Sequence, residues 1–400
     1  MSVIKKQINI LIVSTSFPLH DTSVSGIFVE RLVRALCEHY LLTVITPCAN
    51  DFSIKSSNTP YRLSCFRYAP CSWQILAHAP GGIVATIRRN RFSLVLVPSL
   101  MLSMFFSCLL KVKGKQIIFA NWSICGFIAG LVGRLRGIPV VTTLRGSDVN
   151  FARNSFFNHW LLAVTIALSH RTVTVSTALA RALSYRYPRF VERIRMIPNG
   201  VNDSLFCLER YPPCSGIKLR LLFIGNLIPL KGVDTVLRAF AALPSDISLR
   251  IVGDGDQRRD LENLCVTLMM DRQVEFAGAL PPESIPAVLQ ESDVLILASY
   301  SEGRPNVVLE SLAAGLAVIA TNIDGVSELI SEGQTGLLFP PGDVDALRSC
   351  ISKLYHDPTL CDELGKKGRE WIQEQGLLWR NTADAYASLF EEVLAENRRR

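Results

Sequence analysis

The sequence predicts an α/β protein built from two doubly wound parallel sheets. The chain has 400 residues, more than one ordinary hydrophobic core accommodates, so two domains are the first expectation. Apolar runs typical of buried strands alternate with amphipathic runs typical of helices. This alternation pauses at residues 197–217, which are punctuated by Pro and Gly, and then begins again. Because strands that alternate with helices form parallel sheets, we expect two Rossmann-like domains that face each other across a cleft.

The individual segments follow this alternation in both halves. The first half contains strands INILIVSTS, LLTVITP, QIIFANW, PVVTTLRG and RTVTVST, and helices GIFVERLVRALCEHY, CGFIAGLVGRLRG and HWLLAVTIALSH. The second half contains strands KLRLLFIG, SLRIVG, VEFAG, DVLILAS and LAVIAT, and helices DTVLRAFAAL, QRRDLENLCVTL, SIPAVLQ and VVLESLAAG. The order shows no short internal repeat of the kind that marks a solenoid.

The composition excludes several protein classes. Hydrophobic residues make up 49% of the chain and charged residues 19%, which is typical of a globular protein and not of a disordered or collagenous one. The eleven cysteines include no C-x-x-C pair, so the pattern suggests neither a zinc knuckle nor a disulfide framework. A reducing cytosol is therefore the expected location.

Two apolar segments raise the question of a membrane. Near the N-terminus only Ile8 to Val13 are near-continuously apolar and no small-residue cleavage site follows, so a strand is favoured over a signal peptide. Residues 92–110 have about the length of a bilayer span, but four serines and Pro98 interrupt them. We favour a buried strand at Leu94–Val97 followed by an apolar helix, with a spanning helix as the alternative.

The net charge of +7 is divided unevenly between the two halves. Residues 1–205 carry 23 Lys and Arg against 7 Asp and Glu, a net of +16, whereas residues 206–400 carry 19 against 28, a net of −9. Cations flank the apolar segment on both sides: Arg88, Arg89, Arg91, Lys111, Lys113 and Lys115. An apolar patch with a cationic rim is typical of a peripheral protein on an anionic membrane, although a solvated basic surface remains the alternative. Nucleic acid is not an expected partner, since no aromatic and basic repeat or zinc spacing is present.

One motif in the second half brings two carboxylates toward one ligand. Neither half has a dinucleotide-binding or P-loop glycine motif, which disfavours hydride transfer and P-loop phosphoryl transfer. In SEGRPNVVLESLAAG, Pro305 suits the first turn of a helix, so Glu302 lies in a loop and Glu310 about one turn into that helix. The N–H groups of Gly303 and Asn306 at this helix start are suited to a phosphate or to sugar hydroxyls. Two glutamates at this separation also arise by chance, so two exposed acids remain the alternative for the bare pair.

A metal site is not expected. Asp254-Gly255-Asp256 has the D-x-D form, but it lies between RIVG and QRRDLE, where Asp256 suits a helix cap and the glycines a turn. The six histidines show no ligand spacing.

The ordered motifs of the second half resemble the donor-binding domain of retaining glycosyltransferases of family 4. They are FIGNLIPLKGVDTVLRAF, IVGDGDQRRDLE, VEFAGALP, SEGRPNVVLESLAAG, VIATNIDGVSELI and GQTGLLFPPGDVDAL. The loop STSFPLHDTSVSGIFVERL, with Gly26, resembles the glycine-containing acceptor loop of that family. The resemblance extends to the helices around Trp379 and implies the GT-B fold. It implies an acceptor domain at 1–205, a donor domain at 206–380, and a C-terminal helix at 381–400 that packs back on the first domain.

The resemblance also implies a role for each matching residue. Glu310 binds the ribose hydroxyls of a nucleotide diphosphate sugar, Glu302 contacts hydroxyls of the donor sugar, and Lys231 in GNLIPLKG neutralises the departing diphosphate. The remaining donor-binding candidates are Gly225, Asn226, Gly303, Arg304 and Asn306. The implied substrate is a nucleotide diphosphate sugar, with a UDP-sugar slightly favoured, and no cofactor is implied.

Two positions depart from the family pattern. The family usually has arginine at the position of Asn226, and many members have histidine at the position of Arg145 in TTLRGSDVN. We expect Arg145 to compensate for the cation missing at Asn226 as a phosphate-binding catalytic residue, because its guanidinium binds phosphate in a bidentate manner. Asp148 is explained equally well as a loop or cap residue and as a general base.

The function expected from the resemblance is retaining, metal-independent sugar transfer to a lipid-linked or surface-polysaccharide acceptor, such as a lipopolysaccharide precursor, on the cytoplasmic membrane face. A catalytically silent donor-binding subunit and a nucleotide-sugar epimerase or a phosphorylase remain alternatives.

Overall fold

The computed structural model describes residues 8–20, 23, 25–49, 59–78, 82–146, 156–212, 216–270 and 272–399. The chain forms two compact units: unit 1 comprises Met1–Asn199 together with Trp379–Arg400, and unit 2 comprises Gly200–Leu378. The predicted domain boundaries at 205/206 and 380/381 lie a few residues beyond this division. The reason is local, because Val201 forms a β-bridge with Leu378 and donates its N–H to the Leu377 carbonyl, which joins residue 201 to unit 2.

Strands and helices alternate through both units. The strands are β1 Asn9–Val13, β2 Leu41–Pro47, β3 Arg62–Phe66, β4 Ile117–Asn121, β5 Val140–Leu144, β6 Arg171–Thr174, β7 Ile194–Met196, β8 Leu219–Ile224, β9 Ile247–Val252, β10 Val274–Gly278, β11 Val294–Leu297, β12 Ala317–Thr321 and β13 Leu337–Phe339. The α-helices are α1 Ile27–Leu36, α2 Gly82–Arg89, α3 Leu96–Lys111, α4 Ser123–Arg136, α5 Phe156–Leu168, α6 Thr177–Arg186, α7 Val233–Phe240, α8 Arg258–Thr267, α9 Ile285–Gln290, α10 Asn306–Ala314, α11 Val344–His356, α12 Pro358–Glu374 and α13 Trp379–Arg399. The alternation predicted from the sequence is confirmed.

Each unit is built on one parallel sheet. Unit 1 has seven strands in the order β3-β2-β1-β4-β5-β6-β7, and unit 2 has six in the order β10-β9-β8-β11-β12-β13. Central strands such as β4 and β12 are buried along their whole length, as parallel strands are when helices cover both faces. In both sheets the chain starts at an inner strand, builds to one edge, and then crosses to build the other edge, which is the doubly wound topology.

The C-terminal helix α13 belongs to unit 1. It packs against α1, and its buried aromatic side chains Tyr386 and Phe390 lie in the same core cluster as Phe119 of β4. The Tyr386 hydroxyl and the Thr143 Oγ1 of β5 are 2.8 Å apart, which satisfies two polar groups inside that core. The helix therefore completes the core of unit 1.

The apolar segment at 92–110 differs from the favoured prediction. The expected strand at Leu94–Val97 is wrong, because residues Arg91–Val95 form a 3₁₀ helix that leads directly into α3. A short apolar run does not by itself distinguish a strand from a helix, and Pro98 is tolerated in the first turn of α3, where its missing N–H has no intrahelical acceptor. Within the described ranges, Arg91–Lys111 is one helical stretch long and apolar enough to cross a membrane, with mean hydropathy 2.1. Three side chains along one face of α3, Leu100, Met104 and Cys108, are fully buried in the core of unit 1.

Candidate functional site

The carboxyl edge of the sheet in unit 2 holds most of the predicted donor-binding residues. Strands β8 and β11 are neighbours there, although β9 and β10 separate them along the chain. Because the chain crosses to opposite faces of the sheet after these two strands, a crevice forms outside their carboxyl ends, where open α/β sheets bind ligands. The loop after β8 carries Gly225, Asn226 and Lys231, and the loop after β11 carries Glu302 and Gly303.

Lys231 and Glu302 meet at this crevice. The Nζ of Lys231 donates to the Oε1 of Glu302 at 2.5 Å, and the Ser299 Oγ donates to the same oxygen at 2.7 Å. Only 21% of the Lys231 side chain and 12% of the Glu302 side chain are exposed to solvent. The arrangement holds a cation and a carboxylate in fixed positions beside a sheet edge. The two residues are far apart in the sequence, so the fold brings them together.

Local backbone geometry fixes the two loops against each other. Residues Pro229–Lys231 form one 3₁₀ turn, and the Leu230 carbonyl accepts the Tyr300 N–H at 2.9 Å. Gly232 follows with φ 62° and is the N-cap of α7. A Cβ at Gly232 would lie 2.3 Å from the Ala298 carbonyl oxygen, so the glycine after Lys231 permits a close approach of two backbones. The result is a rigid support for Lys231.

Gly225 and Asn226 begin the loop that follows β8. The Gly225 N–H donates to the Val252 carbonyl at 3.0 Å, which extends the pairing of β8 with β9 by one residue. Asn226 is exposed, and its backbone carbonyl accepts the Ile228 N–H at 2.9 Å. Position 226 therefore carries a neutral amide and not a cation, and Lys231 is the cation of this loop that contacts Glu302.

The loop after β11 contains a buried guanidinium. Only 6% of the Arg304 side chain is exposed, its Nη1 lies 3.8 Å from the Glu328 Oε2, and its Nε is buried without a hydrogen-bond partner. Burial lowers the pKa of Arg304, and the nearby Glu328 carboxylate offsets part of that effect. This geometry makes Arg304 a link between the loops that follow β11 and β12.

Helix α10 begins directly after this loop. Pro305 is its N-cap and Asn306 its first residue, so the predicted helix start is displaced by one residue. Pro305 therefore precedes the first turn, because its extended backbone at φ −71° and ψ 117° is not helical. Glu310 lies one turn further along α10 and is partly buried. Its neighbours Leu309 and Ser311 are fully buried, so the helix presents Glu310 on the edge of its packed face.

Unit 1 fixes Arg145 at the carboxyl end of β5. Its Nε and Nη2 donate to the Asn121 Oδ1 at 3.2 and 2.8 Å, and its Nη1 donates to the Asn199 Oδ1 at 3.1 Å. The Cζ of Arg145 lies 4.6 Å from the centre of the Phe28 ring, a cation-π distance. Two amide oxygens and an aromatic face thus orient the guanidinium.

Gly26 and Asp148 complete the predicted residues of the first half. Gly26 is the N-cap of α1 with φ 76°, and it lies against the backbone of Ser16 after β1. The structure thus places Gly26 at the carboxyl edge of the first sheet. Asp148 lies outside the described residues.

Sequence analysis did not find Asn121, Asn199 and Ser299. Asn121 ends β4, and Ser299 lies two residues after β11, so each is a polar residue at the carboxyl end of a buried strand. That position was a usable signal, because such residues meet at one edge of a parallel sheet. Asn199 was included in a linker-like stretch and carried no signal of its own.

The D-x-D motif has a different local structure from the one expected. Helix α8 begins at Arg258 with Gln257 at the N-cap, one residue beyond Asp256. A turn in which the Arg258 N–H donates to the Gly255 carbonyl precedes the helix and displaces its start. The Asp254 Oδ1 accepts the Gly255 N–H at 2.7 Å. In the part of the chain that the structure describes, His, Cys, Asp and Glu side chains form no group of three suited to a metal ion.

Comparison with known families and proteins decides the class. Residues 25–205 match the family model described as Glycosyltransferase Family 4, and residues 216–371 match the model described as Glycosyl transferases group 1. The D-inositol 3-phosphate glycosyltransferase of Acidothermus cellulolyticus is 30% identical over 315 residues, covering 71% of this chain and 68% of that protein. The chain belongs to glycosyltransferase family 4. The predicted family is confirmed.

Other relatives and solved structures agree with this assignment. The N-acetyl-alpha-D-glucosaminyl L-malate synthase of Bacillus anthracis is 26% identical to this glycosyltransferase over 285 residues, covering 69% of this chain and 73% of that one. Among solved structures, a sucrose-phosphate synthase from Thermosynechococcus elongatus aligns with TM-score 0.78 and 22% identity over 97% of this chain and all of the other. The Anabaena protein HepE, in complex with UDP-glucose, aligns with TM-score 0.74 and 18% identity over 96% of this chain and all of the other. The glycosyltransferase therefore has the GT-B fold.

Proposed function

We propose that this glycosyltransferase transfers a hexose from a nucleotide diphosphate sugar to a lipid-linked or cell-surface polysaccharide acceptor, with retention of configuration and without a metal ion. The observation that carries the proposal is the contact of Lys231, Glu302 and Ser299 at the crevice between the ends of β8 and β11. A sheet edge of this kind suits a nucleotide. A buried cation beside it suits the diphosphate of that nucleotide.

Each residue has a distinct part in donor binding under this proposal. Lys231 binds the diphosphate, Glu302 accepts hydrogen bonds from hydroxyls of the donor sugar, and Glu310 accepts those of the ribose. The N–H groups of Gly303 and Asn306 lie before and at the start of α10, where the positive end of the helix dipole favours an anion. Gly225, Asn226 and Arg304 shape the surrounding loops. The complex of the Anabaena relative with UDP-glucose supports a UDP-sugar as the donor.

The same residues account for the chemistry of transfer. When the bond between the anomeric carbon and the diphosphate oxygen breaks, its electron pair leaves with the diphosphate and Lys231 stabilises the added negative charge. The acceptor hydroxyl attacks from the face that the diphosphate leaves and gives its proton to the departing phosphate oxygen. The new bond thus has the configuration of the old one. Lys231 supplies the positive charge that a metal ion supplies in metal-dependent enzymes.

Unit 1 is proposed to bind the acceptor. The loop that contains Gly26 follows β1, and Arg145 follows β5, so both lie at the carboxyl edge of the first sheet. A guanidinium oriented by Asn121 and Asn199 suits an anionic group such as a phosphate. The strong positive charge of residues 1–205 supports an acceptor held at the cytoplasmic face of an anionic membrane.

A product assay tests the proposal. The protein is incubated with a panel of nucleotide diphosphate sugars and with lipid extracts or membranes as acceptors, and products are identified by mass spectrometry. Retention is read from the anomeric coupling constant of the product, and metal independence from activity in excess EDTA. Interconversion of the nucleotide sugars without an acceptor would instead indicate an epimerase. Nucleotide binding without any transfer would indicate a silent donor-binding subunit.

A further inference from the structure

Helix α3 carries apolar side chains on two opposite faces. Leu100, Met104 and Cys108, spaced by four residues, are buried in the core of unit 1. Leu102, Phe106 and Leu110 have the same spacing on the opposite face and are 59%, 57% and 77% exposed. We call these three residues the α3 stripe. The inner face packs into the core of unit 1, whereas the stripe is open to solvent.

The exposed apolar surface continues into the 3₁₀ helix before α3. Phe92, Leu94 and Val95 are 87%, 57% and 76% exposed. Six of the eighteen exposed large apolar side chains in the described ranges thus fall within residues 92–110. Single exposed apolar residues are ordinary on protein surfaces, but a concentration of this kind marks an interaction site.

The charges around this surface identify the partner. Residues 52–147 contain twelve Lys and Arg and no Asp or Glu. Arg89 and Arg91 at one end of the segment are exposed, as are Lys111 and Lys113 at the other. An acidic protein surface would match the cations but not a stripe of leucine and phenylalanine. An anionic bilayer offers both phosphate groups for the cations and acyl chains for the stripe.

We infer that α3 and the preceding 3₁₀ helix form a docking surface for an anionic lipid bilayer, with the α3 stripe inserted at the boundary between the headgroups and the acyl chains. In this arrangement the helix lies in the interface between water and lipid and does not span the bilayer. The stretch Arg91–Lys111 is long enough to cross a membrane, but spanning would draw Leu100, Met104 and Cys108 out of the core of unit 1. The inference deepens the proposed membrane acceptor, but lipid binding is measurable without donor or acceptor.

Sedimentation of the full chain with vesicles tests this inference. Vesicles of phosphatidylcholine alone are compared with vesicles containing about 30% phosphatidylglycerol, at about 0.1 and 0.5 M salt. The test variant is Leu102→Ser with Phe106→Ser and Leu110→Ser. The matched control is Tyr185→Ser with Val266→Ser and Met269→Ser, which removes three side chains elsewhere that are even more exposed. Thermal unfolding of both variants confirms that they fold.

The expected result separates the apolar and the ionic contributions. The parent sediments with the anionic vesicles, about 0.5 M salt releases part of it, and the stripe variant loses at least about tenfold in partition coefficient while the control does not. Equal binding of the two variants, or no preference of the parent for anionic vesicles, would overturn the inference. A dimer that the stripe variant abolishes would assign the stripe to a second copy and also overturn it. So would a protein that leaves native membranes only in detergent after an alkaline wash, because that behaviour indicates a span.

A single substitution keeps the test independent of folding. Phe106→Trp places a fluorescent ring in the stripe, and Met269→Trp places one at an exposed position in unit 2. Brominated lipids are expected to quench the added emission of the first variant and not that of the second. Equal quenching would contradict an insertion of α3. Transfer activity plays no part in these measurements, so failure of the proposed function would not change their outcome.

Discussion

The Nζ of Lys231 lies 2.5 Å from the Oε1 of Glu302 across the ends of two neighbouring strands. In the free protein this carboxylate neutralises the cation, and the Ser299 hydroxyl holds the carboxylate in place. A diphosphate that binds Lys231 must therefore compete with Glu302. Under the proposed donor binding, a diphosphate that takes over Lys231 releases Glu302 to hydroxyls of the sugar. The ion pair would then couple phosphate binding to exposure of the carboxylate.

Replacement of Lys231 tests its role toward the leaving group. Lys231→Ala is expected to lower kcat by about 10²–10³-fold, as the loss of one preorganised group at a developing anion does. The measurement is the initial rate of sugar transfer under saturating donor. Lys218→Ala is the control, since Lys218 forms an ion pair with Asp246 in the same unit. A Lys231→Ala enzyme as active as the control would refute the role.

The two glutamates are expected to behave differently. Glu310→Ala should weaken nucleoside diphosphate binding by about 1.5–3 kcal/mol, the range for hydrogen bonds to a charged group. Glu302→Ala should leave that binding intact or slightly tighter, because it frees Lys231, while turnover with the full donor falls. Titration calorimetry with the nucleoside diphosphate gives both values. Unchanged binding in Glu310→Ala would remove the ribose assignment.

Gly253 is expected to be intolerant of any side chain. Its φ is 140°, and a Cβ there would lie 1.9 Å from the Gly225 carbonyl oxygen. Gly253→Ala should destabilise unit 2 by at least about 3 kcal/mol, because the backbones of the two loops must separate. Gly333→Ala is the matched control: its φ is also positive, 71°, but no atom lies within 4 Å of the added Cβ. A cost of about 1 kcal/mol is expected there, and urea unfolding of both variants provides the comparison.

The pH dependence of stability should report on the anchor of α13. Arg171 hydrogen-bonds Glu392 at 2.6 Å and lowers the pKa of that carboxyl. A lowered pKa stabilises the folded state above the unfolded pKa, and this stabilisation is lost as the pH falls through the folded value. Glu392→Gln should therefore cost about 0.5–1 kcal/mol at neutral pH, since the carboxylate is partly exposed, and progressively less below about pH 4.

Thermal unfolding at several pH values measures this difference. Glu374→Gln, at an exposed position at the end of α12, serves as the reference. A cost for Glu392→Gln that stays constant from pH 7 into the acid range would show that the ion pair does not stabilise the helix.

The fold could be predicted because its signals are local. Runs such as INILIV and VLIL are short, apolar and bounded by polar turns, and parallel strands require this pattern. The order of the strands is not local. Lys231 and Glu302 are 71 residues apart and meet only because β11 pairs with β8 and not with β10. Family resemblance suggested both residues, but the hydrogen bond between them depends on that pairing.

Other features escaped sequence analysis for a different reason. In the segment around Leu94, the same apolar residues satisfy a strand and a helix, and tertiary packing of Leu100 and Met104 decides for the helix. The orientation of Arg145 depends on Asn121 at the end of β4 and Asn199 after β7, which have no common motif. Side-chain contacts of this kind form only when the strands have paired in their final order, so the sequence does not reveal them.

The inclusion of α13 in unit 1 bears on how the chain folds as it is synthesised. Protein domains generally fold in the order in which the ribosome produces them, the N-terminal domain first. Here Tyr386 and Phe390 complete the core of unit 1, so unit 1 cannot be completed before α13, which follows unit 2 in the sequence, has been made. Residues 200–378 have by then all been made, and Val201 and Leu378 already bring the two ends of unit 2 together. Unit 2 is therefore expected to fold first, while the N-terminal half of the chain remains open to chaperones.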